Sequence, residues 1–235
     1  MIVAVIPAYN EEKTIADVVK KTKRYVDKVI VINDGSDDKT LELARNSGAY
    51  VINHKKNLGL GKSLRDGFKQ SIKMNADIII TLDSDGQHDP NDIPKFIKAI
   101  RNGYDFVLGK RNLSSYPLIK KIGNLFLNFM TNLISGTTIS DTESGFRAYT
   151  NRALKKVYPY LKADGYEIAS EIIFAAGYYN LKYTNVDISS YKYVKGVTIK
   201  DGIRNFAYML RRRKRNLIDY IKDFKYVVRK WLCRY

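Results

Sequence analysis

The first half of the chain alternates five short runs rich in β-branched residues with stretches of helical periodicity. The runs are apolar on both faces, as buried parallel strands are, and they lie at residues 2–6, 28–33, 50–53, 77–82 and 106–109. Between them, apolar residues recur at helical spacing over residues 12–25, 38–46, 62–74 and 91–101. This alternation predicts right-handed βαβ units, and therefore an α/β fold whose mostly parallel sheet is flanked by helices.

A polar segment follows each predicted strand directly. These segments occupy residues 7–12, 33–38, 57–62, 83–90 and 110–111. The carboxyl ends of parallel strands meet at one edge of a sheet, and ligands of such sheets bind there. The sequence therefore predicts one site built from these segments. The second half is less regular, with helices predicted at 118–134 and 167–178, an extended segment at 182–193 and a long basic helix from residue 203.

The segment Asp83-Ser84-Asp85 carries two carboxylates one residue apart at a strand exit. Hard oxygen ligands at this spacing suit Mg²⁺ or Mn²⁺, and Gln87 offers a further carbonyl oxygen. A plain turn is the alternative interpretation, because Asp, Ser and Gly all favour turns.

Asp34 has two interpretations, as part of a turn that starts a helix and as a carboxylate that accepts hydrogen bonds from a nucleotide base. Residues 59–62 resemble a phosphate-binding loop only loosely, and we interpret them as a close loop approach and a helix start. His54 is interpreted as an ordinary loop histidine. His88 is interpreted as a turn residue that fixes residues 83–90, with a catalytic role as the alternative.

Taken in order, these motifs resemble those of family 2 glycosyltransferases with the GT-A (Rossmann-like) fold. The nearest branch is the dolichyl-phosphate mannose synthases and their bacterial polyprenyl-phosphate relatives. The resemblance covers about residues 1–200, which we expect to form the GT-A domain. It is carried by the segments Ile6-Pro7-Ala8-Tyr9-Asn10-Glu11-Glu12, Val31-Ile32-Asn33-Asp34-Gly35-Ser36, Gly61-Lys62, Leu82-Asp83-Ser84-Asp85-Gly86-Gln87-His88-Asp89-Pro90, Gly109-Lys110-Arg111 and Asp141-Thr142-Glu143-Ser144-Gly145-Phe146-Arg147-Ala148-Tyr149.

The resemblance implies a role for each matching residue. Positions that match nucleotide-sugar contacts are Pro7, Tyr9, Glu11, Ile32, Asp34, Asp83, Ser84, Asp85, Gln87, Arg111, Lys195 and Lys200. The last two match loosely, since the family more often has Arg before the glycine that follows Lys195. The implied metal ligands are Asp83, Asp85 and Gln87, with Mg²⁺ or Mn²⁺ as the cofactor. The implied catalytic residues are Asp83, Asp85, Arg111 and Arg147, and Ser144 and Arg147 match the acceptor-phosphate positions.

The implied reaction is an inverting transfer of a hexose, mannose or glucose, from a GDP- or UDP-sugar to dolichyl or another polyprenyl phosphate. A lipid phosphate is already nucleophilic, so a strong general base is not required, and Asp141 and Glu143 are interpreted as orienting or structural groups. Two alternatives stay open. One is a family 2 transferase that acts on a glycan or glycolipid hydroxyl, which needs a carboxylate base. The other is a non-catalytic nucleotide-sugar-binding or membrane scaffold subunit.

Residues 201–235 form a basic tail in which eleven of the chain's 41 Lys and Arg residues lie. Ile203, Leu210, Leu217, Phe224 and Trp231 recur every seven residues along it. This pattern predicts an amphipathic helix that lies in a membrane interface, with a helix packed on its own domain or in a coiled coil as the alternative.

The formal net charge of +17 calls for an anionic partner. We expect an anionic membrane surface and not nucleic acid, because nucleic-acid binding would leave the metal and nucleotide motifs unexplained. Met1 leads directly into a strand, and the single Cys233 cannot form an internal disulfide. The predicted location is therefore cytoplasmic and peripheral, on the inner face of the membrane. A homo-oligomer or a membrane-protein partner is compatible with the sequence.

Overall fold

The computed structural model describes residues 1–112 and 118–189, together with Phe224 and Val228. The described residues form one sheet of seven strands in the order β3-β2-β1-β4-β6-β5-β7. The strands are β1 Ile2–Ala8, β2 Lys28–Asn33, β3 Tyr50–Asn53, β4 Ile78–Thr81, β5 Phe106–Arg111, β6 Arg147–Thr150 and β7 Tyr183–Ile188. Every pairing is parallel except those of β6, which is antiparallel to both β4 and β5.

Helices cover both faces of the sheet. They are α1 Ile15–Thr22, α2 Thr40–Asn46, α3 Leu60–Lys73, α4 Ile93–Arg101, α5 Leu118–Ser135, α6 Asn151–Val157 and α7 Ile168–Tyr178. Side chains alternate along β1, so Val3 and Val5 pack with α3 and α7 while Ala4 and Ile6 pack with α1 and α4. Both faces of the central strands are therefore buried, which explains their continuous apolar sequence.

The five predicted strands and the four helices between them are confirmed, with end shifts of a few residues. The helices predicted at 118–134 and 167–178 correspond to α5 and α7, and the extended segment corresponds to β7 as far as Ile188. Strand β6 has the weakest local signal. Its four residues become a strand because they pair on both edges, with Arg147 opposite Thr81 of β4 and Leu108 of β5.

The predicted basic tail at 201–235 and the predicted residues Lys195 and Lys200 lie outside the described residues. Within the described part of the chain, no helix combines the length and the apolar character that crossing a bilayer requires.

Candidate active site

The loops that follow β1, β2, β4 and β5 surround a cavity of about 720 Å³. This volume falls in the range of roughly 300–1,000 Å³ that is usual for small-molecule sites. Ten of the predicted site residues line the cavity, namely Pro7, Tyr9, Glu11, Asp34, Asp83, Ser84, Asp85, Gln87, Arg111 and Arg147. The expectation that the polar strand ends build one site is confirmed.

Ile32 and Ser144 are not among the residues that line the cavity. Ile32 is fully buried in the core, and its side chain lies against Gly67 of α3. Strand alternation turns its side chain into the core, and the contact of this position with a base stays a prediction. Ser144 is fully buried as well, and its contact with an acceptor phosphate stays a prediction.

Hydrogen bonds join the loop after β1 to the loop after β2. The Asn10 N–H donates to Ser36 Oγ at 3.0 Å, and the Asp37 N–H donates to Asn10 Oδ1 at 3.0 Å. The Glu11 N–H donates to Thr40 Oγ1 at 2.7 Å. Asn10 has φ 56, a left-handed conformation that Asn tolerates better than most residues. These bonds hold Tyr9 and Glu11 at the cavity.

His54 is not an ordinary loop histidine. It follows β3 by one residue and is buried, with its imidazole between the carboxylates of Asp34 and Asp66. Two signals in the sequence could have indicated this role. His54 is one of only two histidines in the chain, and it leaves the sheet at the same edge as Asp34.

Residues 59–62 form a close loop approach and a helix start, as interpreted from the sequence. Gly59 precedes α3 with φ 93, in the left-handed region that glycine adopts at little cost. The Gly61 N–H donates to the carbonyl of Asp164 at 2.7 Å, so the first turn of α3 contacts the loop before α7. Lys62 forms an ion pair with Asp66.

Three carboxylates, those of Glu11, Asp83 and Asp85, line the same cavity. Burial raises the pKa of Asp85, and the nearby charge of Asp83 adds to this effect. Burial also raises the pKa of Glu11, with further contributions from Asp85 and Asp83. A cation among these three carboxylates would stabilise their ionised forms.

A divalent cation fits this part of the site. Asp85 accepts hydrogen bonds from the backbone N–H of Gln87 at 2.9 Å and from its side-chain nitrogen at 2.6 Å, which fixes the carboxylate. In the part of the chain that the structure describes, no three His, Cys, Asp or Glu side chains converge into a complete metal site. Mg²⁺ is commonly held by one or two carboxylates together with substrate phosphates and water, and Asp83 and Asp85 could supply such carboxylates.

The backbone around Asp83 is packed closely. A Cβ atom on Gly145 would lie 2.5 and 2.8 Å from the two carboxylate oxygens of Asp83, so a larger residue there would displace this carboxylate. The Asp83 N–H donates to His88 Nδ1 at 3.3 Å, and His88 is buried against the ring of Phe146. The interpretation of His88 as a turn residue that fixes this loop is confirmed.

Arg147 is 3% exposed, and its guanidinium holds the loop that precedes β6. Nε donates to the carbonyl of Ser144 at 2.7 Å, Nη1 to that of Ala169 at 3.0 Å and Nη2 to that of Thr142 at 2.9 Å. Each of the two terminal nitrogens also carries a second N–H, so these bonds do not by themselves exclude a contact with a phosphate. The contact of Arg147 with an acceptor phosphate therefore stays a prediction.

Glu143 lies in the same loop, lines the cavity, and has a pKa that burial raises. Asp141 forms a bidentate ion pair with Arg111, the cavity residue at the end of β5. The interpretation of Asp141 as an orienting group is confirmed by this contact.

Comparison with known proteins agrees with this geometry. The chain is 33% identical to the UDP-N-acetylglucosamine–dolichyl-phosphate N-acetylglucosaminyltransferase of Methanococcus voltae, over 93% of this chain and 98% of the relative. It is 32% identical to the dolichyl-phosphate hexose transferase of Haloferax volcanii, over 65% of this chain and 68% of the relative.

Among solved structures, the fold is similar to that of glucosyl-3-phosphoglycerate synthase from Mycobacterium tuberculosis in complex with UDP. The TM-score is 0.73 at 21% identity, with 90% of this chain and 79% of that chain covered. The same synthase has been solved with Mn²⁺, UDP and glucosyl-3-phosphoglycerate. The sequence profile of glycosyl transferase family 2 matches residues 3–158, which include the strand ends that carry Asp34, Asp83, Asp85 and Arg111. The chain therefore belongs to glycosyltransferase family 2.

Proposed function

We infer that this protein transfers a hexose-type sugar from a nucleotide sugar to a polyprenyl phosphate such as dolichyl phosphate, with inversion at the anomeric carbon. This inference rests on one observation, which is that Asp34, the carboxylates of Asp83 and Asp85, and Arg111 line the same cavity. Asp34 suits a nucleotide base, the two carboxylates suit the cation of a diphosphate, and Arg111 suits a second anion. The printed activities of the relatives from Methanococcus and Haloferax support a lipid phosphate as the acceptor.

We assign the nucleotide part of the donor to Pro7, Tyr9, Glu11 and Asp34, and its diphosphate to the segment of Ser84. Asp83 and Asp85 would hold Mg²⁺ or Mn²⁺ with the help of the Gln87 carbonyl oxygen. When bound, such an ion neutralises charge that develops on the departing nucleoside diphosphate. The Mn²⁺ in the solved synthase of the same fold supports this assignment.

In the proposed reaction a phosphate oxygen of the acceptor forms a bond to the anomeric carbon as the bond to the nucleoside diphosphate breaks. The electron pair of the broken bond leaves with the diphosphate, and no proton has to be removed from the nucleophile. Two anions must meet in this step, and their repulsion requires a fixed cationic group. Arg111 lines the cavity and is oriented by Asp141, so we assign it this role. Arg147 supports it indirectly, by bracing the loop of Glu143.

A membrane lipid as acceptor implies that the site works at a membrane surface. The formal net charge of +17 suits an anionic surface, and each basic residue near such a surface contributes on the order of 1 kcal/mol. We therefore propose a peripheral enzyme on the inner, cytoplasmic face. The basic tail at 201–235 as the interfacial helix stays a prediction, as does a partner protein or a homo-oligomer.

The test is transfer of label from a panel of radiolabelled nucleotide sugars into organic-extractable lipid, with added polyprenyl phosphate and Mg²⁺ or Mn²⁺. We expect one donor to label the lipid phase, and Asp85→Asn to abolish this label. Asp17→Asn is the matched control, since it removes a carboxylate from the exposed face of α1 and should retain activity. Nucleotide binding without transfer to any lipid or glycan would instead identify a non-catalytic binding subunit.

One observation favours transfer to a hydroxyl as a second candidate. Glu143 is a partly buried carboxyl group that lines the cavity, and burial raises its pKa, as is common for a general base. Under this alternative, Glu143→Gln abolishes transfer and label appears on a glycan or glycolipid hydroxyl. Under the lipid-phosphate reaction, the same variant retains substantial activity.

A further inference from the structure

His54 is a buried histidine that bridges two carboxylates on different elements. Its Nδ1 lies 2.7 Å from Asp34 Oδ1 at the end of β2, and its Nε2 lies 3.0 Å from Asp66 Oδ2 on α3. Ionised carboxylates only accept hydrogen bonds, so both contacts are hydrogen bonds only when both ring nitrogens carry a proton. The charged groups that face His54 are Asp34 and Asp66, and Lys62 of α3 lies behind Asp66 with Nζ 2.6 Å from Oδ1.

The contact with His54 determines how many hydrogen-bond acceptor positions of the Asp34 carboxylate are left for a ligand. Oδ1 accepts from His54 Nδ1 and from the Leu58 N–H at 2.9 Å, and Oδ2 accepts from the Gly59 N–H at 2.8 Å. A carboxylate offers about four acceptor positions. Among the contacts of the described residues three are filled, and the one left is on Oδ2. Asp34 is 4% exposed and lines the cavity, so we assign this remaining position to a molecule bound in the cavity.

Uracil and guanine make different demands on such a carboxylate. Uracil presents a single ring N–H, at N3, between two carbonyl groups. Guanine presents the N1–H and the exocyclic amino group side by side, and this pair requires both carboxylate oxygens. With Oδ1 filled, guanine would bury a donor without a partner, and a site rejects a ligand that leaves buried polar groups unmatched.

We propose that His54 is a positioning residue that restricts Asp34 to one hydrogen bond with the base, so that the cavity selects uridine nucleotides over guanosine nucleotides. The inference rests on the assignment of Asp34 to the base of the donor. The inference extends the proposed function by naming the base of the nucleotide-sugar donor and the residue that selects it. The sequence leaves both open.

Calorimetry with UDP and GDP, on the full chain with Mg²⁺, tests this directly. The wild type is expected to bind UDP about tenfold more tightly than GDP or better, as a mismatched buried hydrogen bond predicts. His54→Ala frees Oδ1, and the preference should fall to about threefold or less. His54→Asn can still donate to Asp34, and most of the preference should return. The nearby exposed variant Asp37→Asn should leave the ratio unchanged.

The test does not depend on the His54→Ala variant alone. If that variant does not fold, the ratio of the two dissociation constants in the wild type and its retention in His54→Asn still test the inference.

Equal binding of GDP and UDP by the wild type would overturn the inference, as would an unchanged preference in a folded His54→Ala variant. Failure of the proposed function looks different. Selective UDP binding without sugar transfer would contradict the proposed transferase reaction and support the role of His54. Labelling of the lipid without a preference for either nucleotide would support the reaction and contradict the role of His54.

Discussion

Arg111 and Asp141 form a bidentate ion pair, with Nε 2.7 Å from Oδ2 and Nη2 2.9 Å from Oδ1. Asp141 also accepts from the Arg111 backbone N–H at 3.2 Å, and it is 3% exposed. Two parallel hydrogen bonds to one carboxylate hold a planar guanidinium group in a single orientation. A cationic group at the cavity is thereby fixed before any substrate arrives, which is the condition for electrostatic stabilisation of a transition state.

Removing the partner of Arg111 should impair turnover more than donor binding. We expect Asp141→Asn to lower kcat by roughly 10- to 100-fold, because the guanidinium is no longer held in place. The dissociation constant for the nucleoside diphosphate should change by about threefold or less. Steady-state kinetics together with calorimetry measure both quantities.

The control is Asp187→Asn at the end of β7, which pairs with Lys110 at 3.7 Å on the surface. Exposed pairs of this kind contribute about 0–1 kcal/mol, so activity should persist. Equal losses in the two variants would contradict a specific role for Asp141.

Gly145→Ala should displace the Asp83 carboxylate without unfolding the protein. The new Cβ would lie 2.5 Å from one carboxylate oxygen, closer than real Cβ contacts allow, and the side chain of Asp83 must move. We expect binding of Mn²⁺ with UDP to weaken by about tenfold and activity to fall by roughly 100-fold. Gly123→Ala on α5 is the control, since nothing lies within 4 Å of its Cβ and Ala suits a helix better than Gly. A Gly145→Ala protein with full activity would refute the close packing of Asp83.

Glu143 should make stability depend on pH. Burial raises its pKa in the folded protein, so the unfolded chain releases this proton at a lower pH than the folded protein does. The free energy of unfolding therefore falls as the pH rises through the interval between the ordinary pKa and the raised one. Glu143→Gln removes this dependence, and its stability relative to wild type should be higher at about pH 7.5 than at about pH 4. Urea unfolding of both proteins at the two pH values measures the difference in the free energy of unfolding between Glu143→Gln and wild type. If this difference is the same at both pH values, the pKa of Glu143 is not raised.

Glu171 should contribute to stability through the loop before α7. It is fully buried, and Oε2 accepts from the backbone N–H groups of Lys162 and Ala163 at 2.9 Å each. Glu171→Ala leaves these donors without that acceptor, and we expect a loss of roughly 2–4 kcal/mol in the free energy of unfolding. Glu42→Ala on the exposed face of α2 should cost less than about 1 kcal/mol. Chemical denaturation distinguishes the two, and similar losses would mean that Glu171 is not a buried acceptor.

Residues 28–33 and 83–90 show why much of the fold and site could be predicted. The first is a continuous β-branched run, and such a run is buried wherever the strand lies in a parallel sheet. The second follows a strand directly, so its position at the carboxyl edge depends only on the direction of that strand. His54 and Arg147 could not be assigned in this way, since the contacts that define them cross from one element to another.

The sequence by itself determined the alternation of strands and helices, the edge at which the polar segments meet, and the residue types that suit a cation and a diphosphate there. These features depend on periodicities and spacings within a few residues of chain. The tertiary structure decided which of those side chains face the cavity and which partners they have. It inserted β6 between β4 and β5, turned Arg147 onto the carbonyl groups of Thr142, Ser144 and Ala169, and placed His54 between Asp34 and Asp66. Those pairings depend on the order of strands in the sheet, because residues distant in the chain become neighbours only after the strands have paired.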